Sequence, residues 1–170
     1  MEQRNEKILV VDDQIFVAEL IKSILDDEGY QCQMVYQGLD ALNLLTEENF
    51  DLVLTDINMP GKTGIELLHN ILKSWPDTAV VLMTAGLGHV QDAVEAMADG
   101  AADYIEKPIN SRQLLIRIER ALERKRLLIE SRQHREYLEQ EVQRKTQQLR
   151  DHYFATLHML VSTLGFHDTE

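Results

Sequence analysis

The sequence has few of the features that would place it outside the cell or across a membrane. Its 170 residues include a single cysteine, Cys32, which excludes an intrachain disulfide. It has no run of about 18 apolar residues, the length that would span a bilayer. The first seven residues are mostly polar or charged and lack the apolar core of a signal peptide. We therefore expect a cytoplasmic protein that does not contact a membrane.

Positive charge is scarce in residues 1–122. This part holds 21 acidic and 9 basic residues, a balance of 9 − 21 = −12, whereas residues 123–170 hold 8 of each. The whole net charge of the chain therefore belongs to its first part. Such a surface repels the phosphates of nucleic acids, so we expect no direct nucleic-acid binding. It favours instead Mg²⁺ and basic protein surfaces as partners.

Proline and glycine are absent from residues 111–163, so nothing in the sequence interrupts a helix there. A helix of this length would be about 80 Å long, too long for one globular domain. Its apolar positions form two sets of different register, namely Ile118, Leu122 and Ile129, then Leu138, Val142 and Leu149. We interpret the two sets as seams of a parallel two-stranded coiled coil with a polar middle at Glu130–Glu136. The alternative is a single solvated helix with many charge pairs.

Short apolar runs alternate with amphipathic stretches over residues 1–122. The predicted strands are Ile8–Val11, Cys32–Tyr36, Leu52–Thr55, Ala79–Thr84 and Ala102–Ile105. The predicted helices are Ile15–Asp27, Leu39–Glu47, Gly64–Lys73, Val90–Ala98 and a helix from Ser111 onward. Five β-α repeats predict an α/β fold, a doubly wound five-stranded parallel sheet with helices on both faces.

Polar side chains stand where these strands end. Asp12 and Asp13 follow the first strand, Asp56 follows the third, Thr84 ends the fourth and Lys107 follows the fifth. In doubly wound sheets, ligands bind beyond the carboxyl ends of the strands, so we expect these groups to lie together. Each could singly be a helix cap, a turn residue or a solvated charge. Together they offer three carboxylates for Mg²⁺, a nucleophile, a hydroxyl and an ammonium group, which suits phosphoryl transfer to a carboxylate.

Four segments carry a resemblance to a known family. They are ILVVDDQ (Ile8–Gln14), DLVLTDINMPGKTG (Asp51–Gly64), VVLMTAG (Val80–Gly86) and ADYIEKPI (Ala102–Ile109). In these segments the sequence resembles the receiver domain of two-component response regulators. The resemblance implies a flavodoxin-like sheet of strand order 2-1-3-4-5 in a domain covering residues 1–122. It also implies a cis peptide bond between Lys107 and Pro108.

The resemblance further implies the role of each site residue. Asp56 would accept a phosphoryl group from a sensor histidine kinase. Mg²⁺ would be held by Asp12, Asp13, Asp56 and the backbone carbonyl of Asn58. Thr84 and Lys107 would contact the phosphoryl group. Tyr104 would turn inward when Thr84 moves. The chain would then act as a switch that loses its own phosphoryl group and not as an enzyme with an external substrate.

The tail resembles a different family element. VQRKTQQL (Val142–Leu149) and ATLHMLVSTLGFHDTE (Ala155–Glu170) are similar to the linker and first helix that join receivers to HD-GYP cyclic-di-GMP phosphodiesterase domains. We therefore expect a coiled-coil linker helix at 123–154, through which the chain forms a homodimer. Residues 155–170 would begin a truncated output domain.

Two other functions compete with the phosphorylated switch. The chain could be a docking or dimerisation module that is never phosphorylated, which the complete set of five site residues disfavours. It could also be an unrelated Mg²⁺-dependent phosphatase of the doubly wound class. Such enzymes use a nucleophile and an acid in one DxD loop, and Asp56-Ile57-Asn58 lacks the second carboxylate.

Overall fold

Five strands and five helices alternate along the chain in a computed structural model that describes residues 4–85 and 90–164. The strands are β1 (Lys7–Val11), β2 (Gln31–Val35), β3 (Leu52–Asp56), β4 (Ala79–Ala85) and β5 (Asp103–Lys107). The helices are α1 (Ile15–Asp27), α2 (Gly38–Glu47), α3 (Gly64–Ser74), α4 (Val90–Asp99) and α5 (Ser111–Leu164). Residues 165–170, the end of the predicted output segment, lie outside the described residues.

All five strands are parallel and follow the order β2-β1-β3-β4-β5. This confirms the predicted fold class and strand order. The central strands are buried on both faces, because successive residues of a strand point to opposite sides of the sheet. Ile8 and Val10 of β1 join the apolar cluster beneath α1 and α5, whereas Leu9 and Val11 join the cluster beneath α2, α3 and α4.

Helix α3 has a well-defined start. The side chain of Thr63 accepts a hydrogen bond from the backbone N–H of Glu66, and the Glu66 carboxylate accepts one from the backbone N–H of Thr63. This capping box satisfies two donors that the first turn of a helix otherwise leaves free. It fixes the point at which the chain turns from the loop after β3 into α3.

The chain divides into two compact units, residues 1–127 and 128–170. In the first unit, α5 packs on the sheet through Leu114, Ile118 and Ala121, all of which are buried, with Leu122 against the same cluster. The prediction that Ile118 belongs to a dimer seam is therefore wrong, because this side chain is fully buried in its own domain. The same prediction for Leu122, which is only partly buried, stays a prediction. The spacing of these two residues is that of a helix packed on its own sheet, which is the same spacing as one side of a coiled-coil seam.

The structure also bears on the single cysteine and on membrane contact. Cys32 lies in the core on β2, so its thiol is buried. Among the described residues, none of the helices combines the length and the apolar character that crossing a bilayer requires.

Candidate functional site

Three carboxylates meet at the carboxyl edge of the sheet. Asp12 and Asp13 directly follow β1, and Asp56 is the last residue of β3, the strand paired with β1. One carboxylate oxygen from each of the three lies within 4.8 Å of the others. Asp12 and Asp56 are buried, with relative exposures of 0% and 3%, whereas Asp13 is exposed. Two carboxylates that are almost completely shielded from solvent therefore face a third that is exposed.

Lys107, the last residue of β5, reaches into this cluster. Its ammonium group donates a hydrogen bond of 2.7 Å to Oδ2 of Asp56. The same Nζ atom lies 2.7 Å from Oδ2 of Asp12 as an ion pair. One cation thus bridges the two buried carboxylates, which would otherwise repel each other. The peptide bond from Lys107 to Pro108 is cis, in agreement with the resemblance.

Backbone donors hold the other carboxylate oxygens. The N–H of Gln14, which precedes α1, donates to Oδ1 of Asp12 at 2.9 Å. The N–H of Asn58 donates to Oδ1 of Asp56 at 3.3 Å. Asn58 itself is exposed, and its predicted role as a carbonyl ligand stays a prediction. These contacts orient both carboxylates toward the edge of the sheet before any ligand arrives.

Burial and charge act in opposite directions on the two partners of the ion pair. Burial raises the pKa of the Asp12 carboxyl, and the attraction of Lys107 and the Gln14 N–H only partly offsets it. Burial lowers the pKa of Lys107, but the carboxylates of Asp12 and Asp56 together outweigh this effect, so the pKa of Lys107 is raised. The ammonium group is therefore held in its charged form at neutral pH.

Thr84 lies near the end of β4, next to Met83, which is in register with Asp56. The residue is fully buried, and its hydroxyl has no hydrogen-bond partner among the residues that the structure describes. A buried hydroxyl without a partner is costly, and such groups are uncommon in folded proteins. A ligand oxygen bound at the edge of the sheet would supply the acceptor that Thr84 lacks here.

The donor set fits Mg²⁺. This ion takes one or two carboxylates together with water and phosphate oxygens. Asp12, Asp13 and Asp56 provide three hard oxygen donors around one point, and Asp12 Oδ2 is a buried oxygen that has no hydrogen bond of good geometry within the described ranges. Because Asp13 is exposed, the cluster is open to solvent on this side, from which an ion with its waters would enter.

Tyr104 lies one strand away from Thr84, on β5, and is half-buried. The guanidinium carbon of Arg117 lies 5.3 Å from the centroid of its ring, within the range of a cation–π contact. Arg117 also forms an ion pair of 2.5 Å with Asp103, the residue before Tyr104. The structure thus connects the proposed switch residue to α5, a contact that sequence reasoning did not predict.

A second residue that sequence reasoning missed is Gly64, the first residue of α3. A Cβ atom at this position would lie 2.2 Å from the backbone oxygen of Asp56 and 3.0 Å from the Cα of Ile57. Only glycine allows α3 to begin so close to the strand that ends in Asp56. The signal in the sequence is the position of Gly64 at the end of the MPGKTG loop, just before an amphipathic helix.

Comparison with known proteins agrees with this geometry. The response regulator receiver domain family matches residues 8–119. A receiver domain protein from Clostridium thermocellum is 35% identical, with a TM-score of 0.68 over 72% of this chain and 98% of that chain. The receiver domain of NtrX from Brucella abortus is 38% identical, with a TM-score of 0.65 over 68% of this chain and 98% of that chain.

A third solved structure is the signal receiver domain of an HD domain-containing protein from Pseudomonas fluorescens. It is 27% identical, with a TM-score of 0.69, and the match covers 76% of this chain and 96% of that one. A longer chain of NtrX from Brucella abortus also matches, but over 29% of its length. This chain belongs to the response regulator receiver domain family. Receiver domains are generally phosphorylatable switches of two-component signalling that bind Mg²⁺ at an acidic pocket and have a histidine kinase as partner.

Proposed function

We propose that this chain accepts a phosphoryl group on Asp56 from a phosphohistidine of a sensor kinase in a Mg²⁺-dependent reaction. One observation carries the proposal. The nearly buried carboxylate of Asp56 is grouped with Asp12 and Asp13 and held 2.7 Å from the ammonium group of Lys107. A carboxylate fixed among a cation and two further acids is suited to form an acyl phosphate. The proposed partner implies a location in the cytoplasm, where such kinases make phosphohistidine from ATP.

The chemistry assigns one task to each side chain. A carboxylate oxygen of Asp56 forms a bond to phosphorus while the bond from phosphorus to the imidazole nitrogen breaks, and the imidazole leaves with the electron pair. Lys107 would neutralise charge on a phosphoryl oxygen, and the hydroxyl of Thr84, which has no partner among the described residues, would donate to another. Mg²⁺, when bound by Asp12, Asp13 and Asp56, supplies further neutralisation of the transferring group.

Exposed apolar side chains near the site support a protein as the phosphoryl donor. Ile15 and Phe16 in the first turn of α1 are 55% and 76% exposed, and Leu39 in the first turn of α2 is 59% exposed. Both turns follow the carboxyl ends of parallel strands, β1 and β2, so the three side chains stand at the edge of the sheet that carries the site. Large apolar side chains exposed beside a reactive centre favour a partner surface that covers them.

The test uses acetyl phosphate and Mg²⁺ with intact-mass measurement. The wild-type chain should gain the mass of one phosphoryl group, and hydroxylamine, which cleaves acyl phosphates, should remove it. Asp56→Asn should not gain this mass. Asp27→Asn, which changes an exposed aspartate at the end of α1, is the matched control and should label like wild type. Equal labelling of the Asp56→Asn variant would show that the phosphoacceptor is another residue.

The switch would act on α5 through Tyr104. When Thr84 moves to meet the phosphoryl group, space opens beside β5 and Tyr104 turns inward. This movement takes the ring away from Arg117, which stands on α5. The phosphoryl group thereby biases two arrangements of the same helix, because it binds one of them better than the other.

The proposed switch acts in a homodimer joined by the C-terminal helix. The proposed domains are a receiver at residues 1–122, a linker helix at 123–154 and the start of an output domain at 155–170. A cyclic-di-GMP phosphodiesterase of the HD-GYP class is the proposed output. It is supported by the sequence resemblance of the tail and by the neighbour from Pseudomonas fluorescens, whose receiver belongs to an HD domain-containing protein. We expect a chain that carries such an output domain complete to hydrolyse cyclic-di-GMP, whereas residues 1–170 alone should not. A native product with no metal-dependent phosphodiesterase activity would refute this output.

A further inference from the structure

Large apolar residues of the second unit recur at intervals of eleven. Leu138, Leu149 and Leu160 are spaced by eleven residues, and so are Val142, Tyr153 and Leu164. The first three are 48%, 71% and 55% exposed, although leucine is among the residues most often buried. Two interleaved sets with the same long spacing form one stripe along this part of α5.

An interval of eleven has a structural meaning different from the interval of seven in ordinary coiled coils. Eleven residues make three turns at about 3.67 residues per turn, slightly more than the 3.6 of a straight α-helix. A stripe with this period stays on one face and gives a straight or slightly right-handed pair of helices. A seven-residue pattern continued from Leu138, Val142 and Leu149 would instead place His152, Thr156 and Met159 in the seam.

The surface beside Leu138 is shaped to receive a side chain from another helix. A shallow groove of about 370 Å³ is lined by Arg135, Leu138, Glu139, Val142 and Gln143. The first four stand at positions i, i+3, i+4 and i+7, the arrangement of a hole in knobs-into-holes packing. In a parallel pair of identical helices in register, the side chain that enters this hole is Leu138 of the other copy.

One pair of side chains beside the stripe fits the same arrangement. In a parallel pair, a residue flanking the seam lies opposite the residue five positions later on the partner helix. Here His134 precedes Glu139 by five positions. An imidazole N–H opposite a carboxylate can donate a hydrogen bond to it. The five apolar side chains at Leu138, Val142, Leu149, Tyr153 and Leu160 would bury on the order of 1,000 Å² between two copies, near the lower limit for a specific interface.

We infer that a second copy of this chain packs in parallel and in register along the face of α5 defined by Leu138, Val142, Leu149, Tyr153 and Leu160. This face is called the eleven-residue stripe below. The inference rests on the homodimer of the proposed function and specifies its interface. Each leucine of the stripe then meets its own counterpart, so the repeat of one residue type makes the surface self-complementary.

Disulfide cross-linking tests both the direction and the register. The native Cys32 is buried, so single cysteines can be introduced into the otherwise unchanged full chain. The variants are Leu138→Cys, Leu160→Cys and Met159→Cys, each oxidised under conditions where sedimentation equilibrium shows a dimer. Leu138→Cys and Leu160→Cys should cross-link to their counterparts at similar rates. Met159→Cys, which is adjacent to Leu160 and 65% exposed, should cross-link at least about tenfold more slowly.

The possible results distinguish the parallel, in-register interface from the homodimer proposed above. Faster cross-linking of Met159→Cys than of Leu160→Cys would overturn the eleven-residue stripe in favour of a seven-residue seam. A dimer in which neither Leu138→Cys nor Leu160→Cys cross-links would overturn the parallel in-register arrangement. A chain that is monomeric at every concentration would refute the homodimer of the proposed function as well.

A second measurement does not depend on cysteine chemistry. Leu160→Asp should weaken dimerisation at least about tenfold, because it places two carboxylates opposite each other in the seam. Met159→Asp adds the same charge one position away and should change the dimerisation constant less than about threefold. Equal weakening by the two substitutions would contradict the assignment of Leu160 to the seam.

Discussion

Gly64 offers a sharp test of how the loop after β3 positions Asp56. Replacing it with alanine adds one methyl group at the first residue of α3. That methyl carbon would lie 2.2 Å from the backbone oxygen of Asp56 and 2.9 Å from its carbonyl carbon. Both atoms belong to the backbone of the residue that carries the reactive carboxylate. No side-chain rotation can relieve the contact, so the strand end or the start of α3 must shift.

The size of the shift follows from the contact distance. Ordinary contacts of a methyl carbon begin near 3.4 Å, so the backbone must move by roughly 1 Å. Overpacking of this kind costs about 1–3 kcal/mol of unfolding free energy. A catalytic group must stay within about 0.5 Å of its productive position, so phosphoryl transfer should fall by about 100-fold or more.

Two assays measure the two effects. Urea unfolding followed by the fluorescence of Trp75, the single tryptophan, gives the free energy of unfolding of the receiver. Labelling by acetyl phosphate gives the rate of phosphoryl transfer. Gly61→Ala is the control, because a Cβ there contacts nothing within 4 Å and meets only the strain of a φ of +80°. It should cost about 1 kcal/mol and leave the labelling rate near wild type. A Gly64→Ala chain with normal stability and labelling would refute this reasoning.

Three further predictions concern the ammonium group, the thiol and the helix cap. Lys107→Met should slow labelling by acetyl phosphate about 100-fold, because a phosphoryl oxygen loses its neutralising cation. Mg²⁺ binding, measured by isothermal titration calorimetry, should be kept or strengthened, because a competing cation leaves the carboxylates; weakened Mg²⁺ binding would contradict this. Burial raises the pKa of Cys32 to about 12, so at pH 8 roughly one thiol in 10⁴ is ionised, and an aromatic disulfide reagent should react only after denaturation. Rapid reaction of the folded chain would disprove the burial. Thr63→Ala removes the capping box of α3 and should cost about 1 kcal/mol in urea unfolding, with Thr46→Ala near neutral as the control.

Most of the fold follows from local patterns in the sequence. Continuous apolar runs such as Leu52–Thr55 predict strands buried on both faces, and each predicted strand and helix exists within one or two residues of its predicted bounds. The grouping of Asp12, Asp56 and Lys107 also follows, because parallel strands bring their carboxyl ends to one edge. The strand order came from the resemblance of four segments to a known family and is confirmed. The domain boundaries and the roles of the site residues stay predictions.

The long helix shows where sequence reasoning went wrong. Ile118 and Leu122 have the spacing of a coiled-coil seam, yet Ile118 is fully buried against the sheet. An apolar stripe on a helix shows only that one face is apolar. Packing on a sheet and packing on another helix require the same spacing of apolar residues. What packs against the apolar face depends on contacts between residues far apart in the chain. The periodicity of one segment carries no information about such contacts.

The sequence by itself determined which side chains reach the edge of the sheet, because that depends on strand order and on alternation along each strand. Only the tertiary structure decided how they are used there. It places one ammonium group between Asp12 and Asp56, leaves the hydroxyl of Thr84 without a partner among the described residues, and starts α3 against the backbone of Asp56. The first and last of these features are close approaches of 2–3 Å, and the ion pair joins residues 95 positions apart in the chain. They arise from the close packing of the whole domain, in which a position is fixed by all its neighbours at once.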